Sequence, residues 1–219
     1  MQDEAAGIAP ARAQLWLADW RRRVSELYAE VRATAVTDPA AAWETWRHER
    51  EALYRGHPQS PVPAAERAAF RAGHWPYDPA LRFSVAVEPP PAAPDLGAGI
   101  SLPNSGQAQL SFRRVGRMAL PLPAGSRHLT VYWMDGYAGG LFLPVRDATN
   151  GTATYGAGRY LLDTGKGADL GGDPVAGTLV VDVNFAFQPS CAFDPVWACP
   201  LAPPENRLDV ALEAGERLR

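Results

Sequence analysis

The stretch LFLPVRDATNGTATYGAGRYLLD (residues 141–163) decides the fold class. Two β-prone runs flank Asn150-Gly151, a dipeptide whose tolerance of left-handed backbone suits the tight turn of a hairpin. With a two-residue turn, Thr149 faces Thr152 and the pairing runs outward from there. One face then carries Leu141, Leu143, Val145, Tyr160 and Leu162, a core face. The other carries Phe142, Arg146, Tyr155, Arg159 and Leu161. Tyr155 and Arg159 share that face about 13 Å apart at ~3.3 Å per residue, and Phe142 is expected across from Arg159. Gly156 and Gly158 fall on the core face, where a missing side chain lets another backbone or a ligand come close. A bulge at these glycines would exchange the faces beyond it.

Working outward, β-like runs recur at 81–88, 108–114, 117–122, 128–134, 140–148, 152–162, 177–187 and 207–212. A proline-rich loop, PPPAAPDLGAG, follows the first run. With no helix between the strands, about seven or eight of them argue an antiparallel β-barrel or curved β-sandwich. In TLVVDVNFAFQ (178–188), Leu179, Val181, Val183, Phe185 and Phe187 make an apolar face; Asp182, Asn184, Ala186 and Gln188 make the other.

Upstream the period changes. Trp16, Trp20, Val24, Leu27 and Val31 form one helical stripe, and Arg21, Arg22 and Arg23 lie mostly off it. Asp38-Pro39 is a cap-and-proline helix start, with Trp43, Trp46 and Leu53 on the apolar face and Gly56 to end it. A short third helix is expected within PAAERAAFRAG (63–73). The fold class is therefore mainly β with N-terminal helices (α+β). Residues 1–78 are a helical segment packed on an antiparallel β domain at 79–219, expected as one structural unit.

Composition bounds the function. The 219 residues are 47% hydrophobic with a formal net charge of −3, enough for one sizeable core and no strong field. Lys166 is the only lysine, and basic clusters with interleaved aromatics are lacking, so no nucleic-acid partner is expected. The N-terminal MQDEAAGIAPARAQ has neither the basic nor the apolar region of a secretory signal. No apolar run approaches the ~20 residues of a membrane span. The expectation is a cytoplasmic protein that engages no membrane, with reduced thiols.

Among candidate chemical groups, Cys191 and Cys199 lie in PSCAFDPVWACPLAPPENRL (189–208). Their spacing is not that of a zinc knuckle, so no metal site is assigned and no cofactor is expected. Four readings of the pair stay open: a metal site completed by other residues, a nucleophile, a disulfide, or buried packing. Phosphate-loop look-alikes at 156–167 lack required glycines, and Ser190 lacks a nucleophile-elbow context. His57, in GHPQSP, is either a general base or a ring bonded to backbone. Arg159 is either an anion clamp or half of an internal ion pair with Asp182 or Glu205.

Several of these segments resemble one family. TYGAGRYLLD (154–163), the run from Asp182 to Leu208, EAGER (213–217) and WETWRHEREALYRGHPQSP (43–61) are similar to the bacterial and archaeal domain-of-unknown-function family 1684. The resemblance spans roughly 12–217 and implies one domain, with Arg159, Asn184, Cys191, Cys199 and Asn206 at matching motif positions. It implies no established activity. The chain departs from the pattern at Val183, Phe187, Gln188 and Phe193, where the family is expected to carry Phe, Tyr, Asn and Tyr. A phenol at 187 or 193 is therefore not essential.

The leading functional expectation is a small-molecule site for an anionic ligand at one end of the barrel. Tyr155, Arg159, Asn184 and Asn206 bind, and His57 and Cys191 are the catalytic candidates for any hydrolysis or isomerisation. The alternatives are a structural or interaction module whose tryptophans meet a partner, and a metal site using the two thiols.

Overall fold

The computed structural model describes residues 10–89, 99–106, 110–137 and 139–218. Most of the proline-rich loop and the first nine residues lie outside the described residues. Two helices come first, α1 (Pro10–Thr34) and α2 (Pro39–Gly56). Asp38 caps α2, its carboxylate accepting from the Ala41 amide at 2.9 Å. The strands that follow are β1 (Gly73–His74), β2 (Arg82–Ala86), β3 (Ile100–Ser101), β4 (Ser111–Leu120) and β5 (Arg127–Met134). After them come β6 (Gly140–Val145), β7 (Arg159–Asp163), β8 (Gly172–Asp173), β9 (Thr178–Asp182) and β10 (Glu216–Arg217). The third helix reduces to a single 3₁₀ turn, Arg67–Ala69.

Every named strand pair is antiparallel. The strands make a five-stranded sheet β3-β4-β5-β6-β7, a three-stranded sheet β2-β9-β8, and the small pair β1-β10. Residues 108 and 109 of the expected run 108–114 lie outside the described residues; the rest of it joins the run 117–122 in one strand, β4, with a bulge between Arg114 and Gly116. Residues 207–212 hold no strand and make one bridge, Arg146 to Arg207.

The expected barrel closure is corrected. The two larger sheets are joined by two single bridges, Glu88–Arg117 and Tyr160–Phe187, and neither seam continues as a ladder. At the second seam the reason is local. Asp182 accepts the Asn184 amide at 3.0 Å and turns the chain into a 3₁₀ helix over Val183–Phe185, which ends β9 five residues short of the expected strand end. At the first seam Gly116 admits the neighbour: a Cβ there would stand 2.6 Å from Val87 Cγ1 and 2.7 Å from the Glu88 carbonyl.

The hairpin register is also corrected. Phe142 faces Asp163, and Val145 faces Arg159, with an irregularity between Leu143 and Pro144. The chain between β6 and β7 is not a two-residue turn. Asp147 accepts the Thr149 amide at 2.8 Å and its hydroxyl at 2.6 Å, and Asn150 binds the Asp147 amide and the Tyr155 carbonyl. These side-chain bonds to nearby backbone displace the ladder. Gly158 sits at φ +107, where a Cβ would meet the Val145 carbonyl at 2.6 Å. All five residues of β7 are buried, so neither of its faces meets solvent.

The core is continuous from Leu27, Val31 and Trp46 of the helices to Phe112, Phe142 and Phe185 among the sheets. Trp46 is fully buried, donates to the Tyr28 hydroxyl at 3.0 Å and packs 5.1 Å from Phe185. Trp43 donates to the Asn184 carbonyl at 2.9 Å. Each of the seven tryptophans is buried or half-buried.

Candidate functional site

The residues singled out in the sequence separate into ties within the fold and groups that meet solvent. Arg159 is 0% exposed. Its guanidinium pairs with Asp147 at 3.0 Å, not with Asp182 or Glu205, and donates to the Leu212, Ala214 and Glu216 carbonyls. Trp75 covers it at 5.4 Å. Burial pulls this guanidinium below its ordinary value, opposed by the Asp147 charge. Of its nitrogens, Nε has no partner among the described residues. The fork is taken up in holding residues 212–216 against β7. Asp182 instead pairs with Arg82 at 3.2 Å, and Glu205 with Arg114 at 2.9 Å.

Asn184 is equally enclosed. Its amide exchanges two bonds with the Asp78 backbone, both 2.8 Å, and reaches Asp182 at 2.7 Å. Asn206 stands between two strands that have parted. β5 and β6 pair only over 132–134 and 140–142. Beyond that, the Asn206 amide accepts from Thr130 N at 2.8 Å and donates to the Thr130 and Pro144 carbonyls at 2.9 and 2.8 Å. A side chain thus substitutes for a ladder rung. Asn206→Ala leaves three buried backbone groups without that partner, and a cost of about 2–3 kcal/mol is expected. Urea denaturation checks it, with a lowered midpoint and an unchanged slope.

His57 is buried, with Nε2 3.1 Å from the Asp19 carboxylate and Nδ1 accepting the Gln59 amide at 3.0 Å. Its edge meets Trp20. These contacts lie between α1 and the end of α2, and none is to Cys191. The two catalytic candidates are therefore not brought together.

Tyr155 and Cys191 do meet. The half-buried phenol lies close enough to the Cys191 thiol for the thiol, after burial, to raise its pKa. Cys199 lies against the same thiol, and both cysteines are free and buried. Among the described residues no group of three or more His, Cys, Asp or Glu is arranged to hold a metal ion. No described helix is long and apolar enough to cross a membrane.

A cavity of about 320 Å³ opens elsewhere, between the 62–73 segment, residues 188–193 and the C-terminal strand. Val62, Phe70 and Phe193 supply apolar lining; Glu66, Arg71, Glu216 and Arg217 supply charge. Glu216 is turned inward. It pairs with the part-buried Arg50 at 2.6 Å and accepts the Gln188 amide at 2.7 Å. Arg50 in turn lies over the Tyr54 and Phe187 rings at 4.5 and 4.6 Å. Arg217 lies over Trp75 at 5.9 Å and is exposed; Arg71, also exposed, donates to the Phe70 carbonyl at 2.6 Å and stands 3.9 Å from Glu51.

Sequence reasoning missed this place. Arg50 follows Trp46 by four residues and precedes Tyr54 by four, one helix face, and that spacing was the available signal. Glu216 and Arg217 stand in the quoted EAGER motif. Asp147, the true partner of Arg159, carried no motif of its own.

Comparison with known proteins places the chain. A family model described as "Protein of unknown function (DUF1684)" matches residues 71–217. The chain belongs to this family. The DUF1684 match covers β1 through β10, every strand named above, together with Arg71 and Arg217 at the cavity and both cysteines; α1, α2, His57 and Arg50 precede it. Among solved structures, the solution NMR structure of an uncharacterized protein of Haloarcula marismortui is 28% identical, with a TM-score of 0.57. That likeness covers 81% of this chain and 95% of that one. No curated protein matches the chain. That structure supports the fold, and its description names no activity.

Proposed function

We propose that this DUF1684 protein binds a small amphipathic anion in the cavity between residues 62–73, 188–193 and β10. The single observation that carries the reading is the composition of the cavity wall. Its volume of about 320 Å³ suits a small ligand, and its lining joins aromatic and aliphatic groups to two arginines. Arg50 satisfies Glu216, which leaves Glu66, without an ion pair among the described residues, as the acidic lining group against Arg71 and Arg217. An anionic head between the arginines and a short alkyl chain on Val62, Phe70 and Phe193 match that wall. This keeps the anionic ligand of the sequence reading and moves its site from Arg159 to Arg71 and Arg217.

The experiment is calorimetric titration with hexanoate. Replacing both cations, in Arg71→Ala/Arg217→Ala, is expected to weaken binding about tenfold or more, since hydrogen bonds to charged groups contribute roughly 1.5–3 kcal/mol each. Both side chains are exposed, so the melting temperature should stay close to that of the parent. Equal affinity for parent and double variant would overturn the assignment.

The structural-module reading is favoured by a different set of residues. Arg159, Asn184 and Asn206 are enclosed ties whose donors and acceptors go to backbone and buried carboxylates. We read these family-motif positions as holding the fold that carries the cavity.

A further inference from the structure

The two cysteines lie outside the cavity lining and are not used by that reading. The loop that carries them is held in place by bonds that do not involve sulfur. The Cys199 amide donates to Ser105 Oγ at 2.8 Å, and the Ser105 amide donates back to the Cys199 carbonyl at 3.0 Å. Leu201 N donates to the Pro103 carbonyl at 2.7 Å, and Trp197 Nε1 to the Pro61 carbonyl at 3.3 Å. A 3₁₀ turn over Ser190–Ala192 brings the other arm back. The result sets the Cys191 amide 3.3 Å from the Cys199 sulfur, and each thiol perturbs the ionisation of the other. Tyr155 and Ser105 complete the surround of Cys191, and Cys191 itself is 7% exposed against 2% for Cys199. The scaffold thus presents two reduced sulfurs to each other, one nearer to solvent.

We infer that Cys191 and Cys199 form a redox-active dithiol that reduces a hydroperoxide, with Cys191 as the attacking sulfur and Cys199 as the resolving one. In the first step the Cys191 thiolate attacks the terminal oxygen of the hydroperoxide. An S–O bond forms, the O–O bond breaks, and the departing oxyanion takes a proton from solvent to leave as an alcohol, or as water from hydrogen peroxide. Cys191 is then a sulfenic acid. In the second step the Cys199 sulfur attacks the Cys191 sulfur. The S–S bond forms, the S–O bond breaks, and the hydroxide carries off the Cys199 proton as water. Two thiols give up two electrons, and the peroxide accepts them.

The electrostatics suit that order of events. Cys199, together with Ser105 and Tyr155, holds the Cys191 thiol below its ordinary value against the upward push of burial. Cys199 is pushed the other way, by Cys191 and by burial. Burial and the nearby Cys191 raise the Tyr155 phenol to about 12, so it stays a donor at neutral pH. A thiolate forms above its pKa, so the Cys191 rate should level off at a lower pH than that of an ordinary thiol in the denatured chain.

Hydrogen peroxide at pH 7 is the test on the folded, reduced chain. The expected result is loss of both free thiols, an intramolecular Cys191–Cys199 disulfide in the peptide map, and a Cys191 rate roughly tenfold above that of the denatured chain. Cys199→Ser should stop at the first step, with dimedone labelling Cys191; Cys191→Ser should give no label at Cys199. Should either serine variant fail to fold, the peptide map and pH profile of the parent decide alone. Thiols that survive peroxide as they do in the denatured chain, a disulfide formed only between chains, or dimedone on Cys199 first would each overturn the inference.

Discussion

Arg159→Met is expected to lower the stability of this protein by about 3–5 kcal/mol, roughly 6–20 °C in melting temperature for a chain of this size. The substitution removes the cation and keeps most of the volume. It leaves the Asp147 carboxylate buried without its charge partner, and the Leu212, Ala214 and Glu216 carbonyls without their shared donor. Arg159→Lys should not rescue it, because an ammonium lacks the planar fork that reaches a carboxylate and three carbonyls at once. Asp147→Asn should cost less than Arg159→Met, and the double variant should cost less than the sum of the two. A coupling energy above about 1 kcal/mol in that cycle marks a direct pair. Chemical denaturation of the four proteins measures it. Additive effects would mean that Asp147 and Arg159 do not depend on each other.

Trp46→Ala carries the second large effect, about 3–5 kcal/mol. The indole is fully buried where α1, α2 and the segment after β9 meet. Its removal opens a cavity and leaves the Tyr28 hydroxyl without its donor. Because Phe185 and His74 also pack on this ring, the loss should reach past the helices. One cooperative transition, shifted as a whole, is the expected denaturation curve. A helical signal that melts early while the sheet signal stays at the parent midpoint would contradict it. Trp46→Phe retains ring packing without the N–H and should cost clearly less.

Why the helices were legible and the hairpin register was not comes down to what competes with each pattern. Leu27, Val31, Trp43 and Trp46 repeat at helical spacing, and Asp38-Pro39 marks a start that nothing opposes. In the hairpin, Asn150-Gly151 does turn, with Gly151 at φ +82. Asp147, however, captures Thr149 and Arg159, and the loop grows at the expense of the ladder. A sequence shows that Asp147 precedes a turn; it does not show that an arginine 12 residues on will close on it. The face expected to be polar over 178–188 is polar, but it is a strand face only as far as Asp182. Asp182 and Asn184 are consumed in ending β9 and in clipping Asp78. Barrel closure failed for the same reason, since the strand needed for the second seam stops at Asp182.

The candidate site was less legible than the fold. Arg159 and Asn184 stand out as polar residues amid β-prone sequence, and Asn206 as a motif position in a proline-rich loop; such residues also serve as internal rungs and struts. The cavity is assembled from three distant segments: a loop after α2, the turn at 188–193 and the last strand. No local pattern links them. Cys191 and Tyr155 were both named, yet their meeting depends on the Tyr155 amide bonding to Gln188 across 33 residues.

Amide chemical-shift mapping during hexanoate titration tests the central claim most directly. Perturbations concentrated at Phe70, Gly73, Gln188, Phe193 and Leu218, absent from Arg71→Ala/Arg217→Ala, are the predicted result. Perturbations centred on Tyr155, Arg159 and Asn206, or an unperturbed spectrum at millimolar ligand, would contradict it.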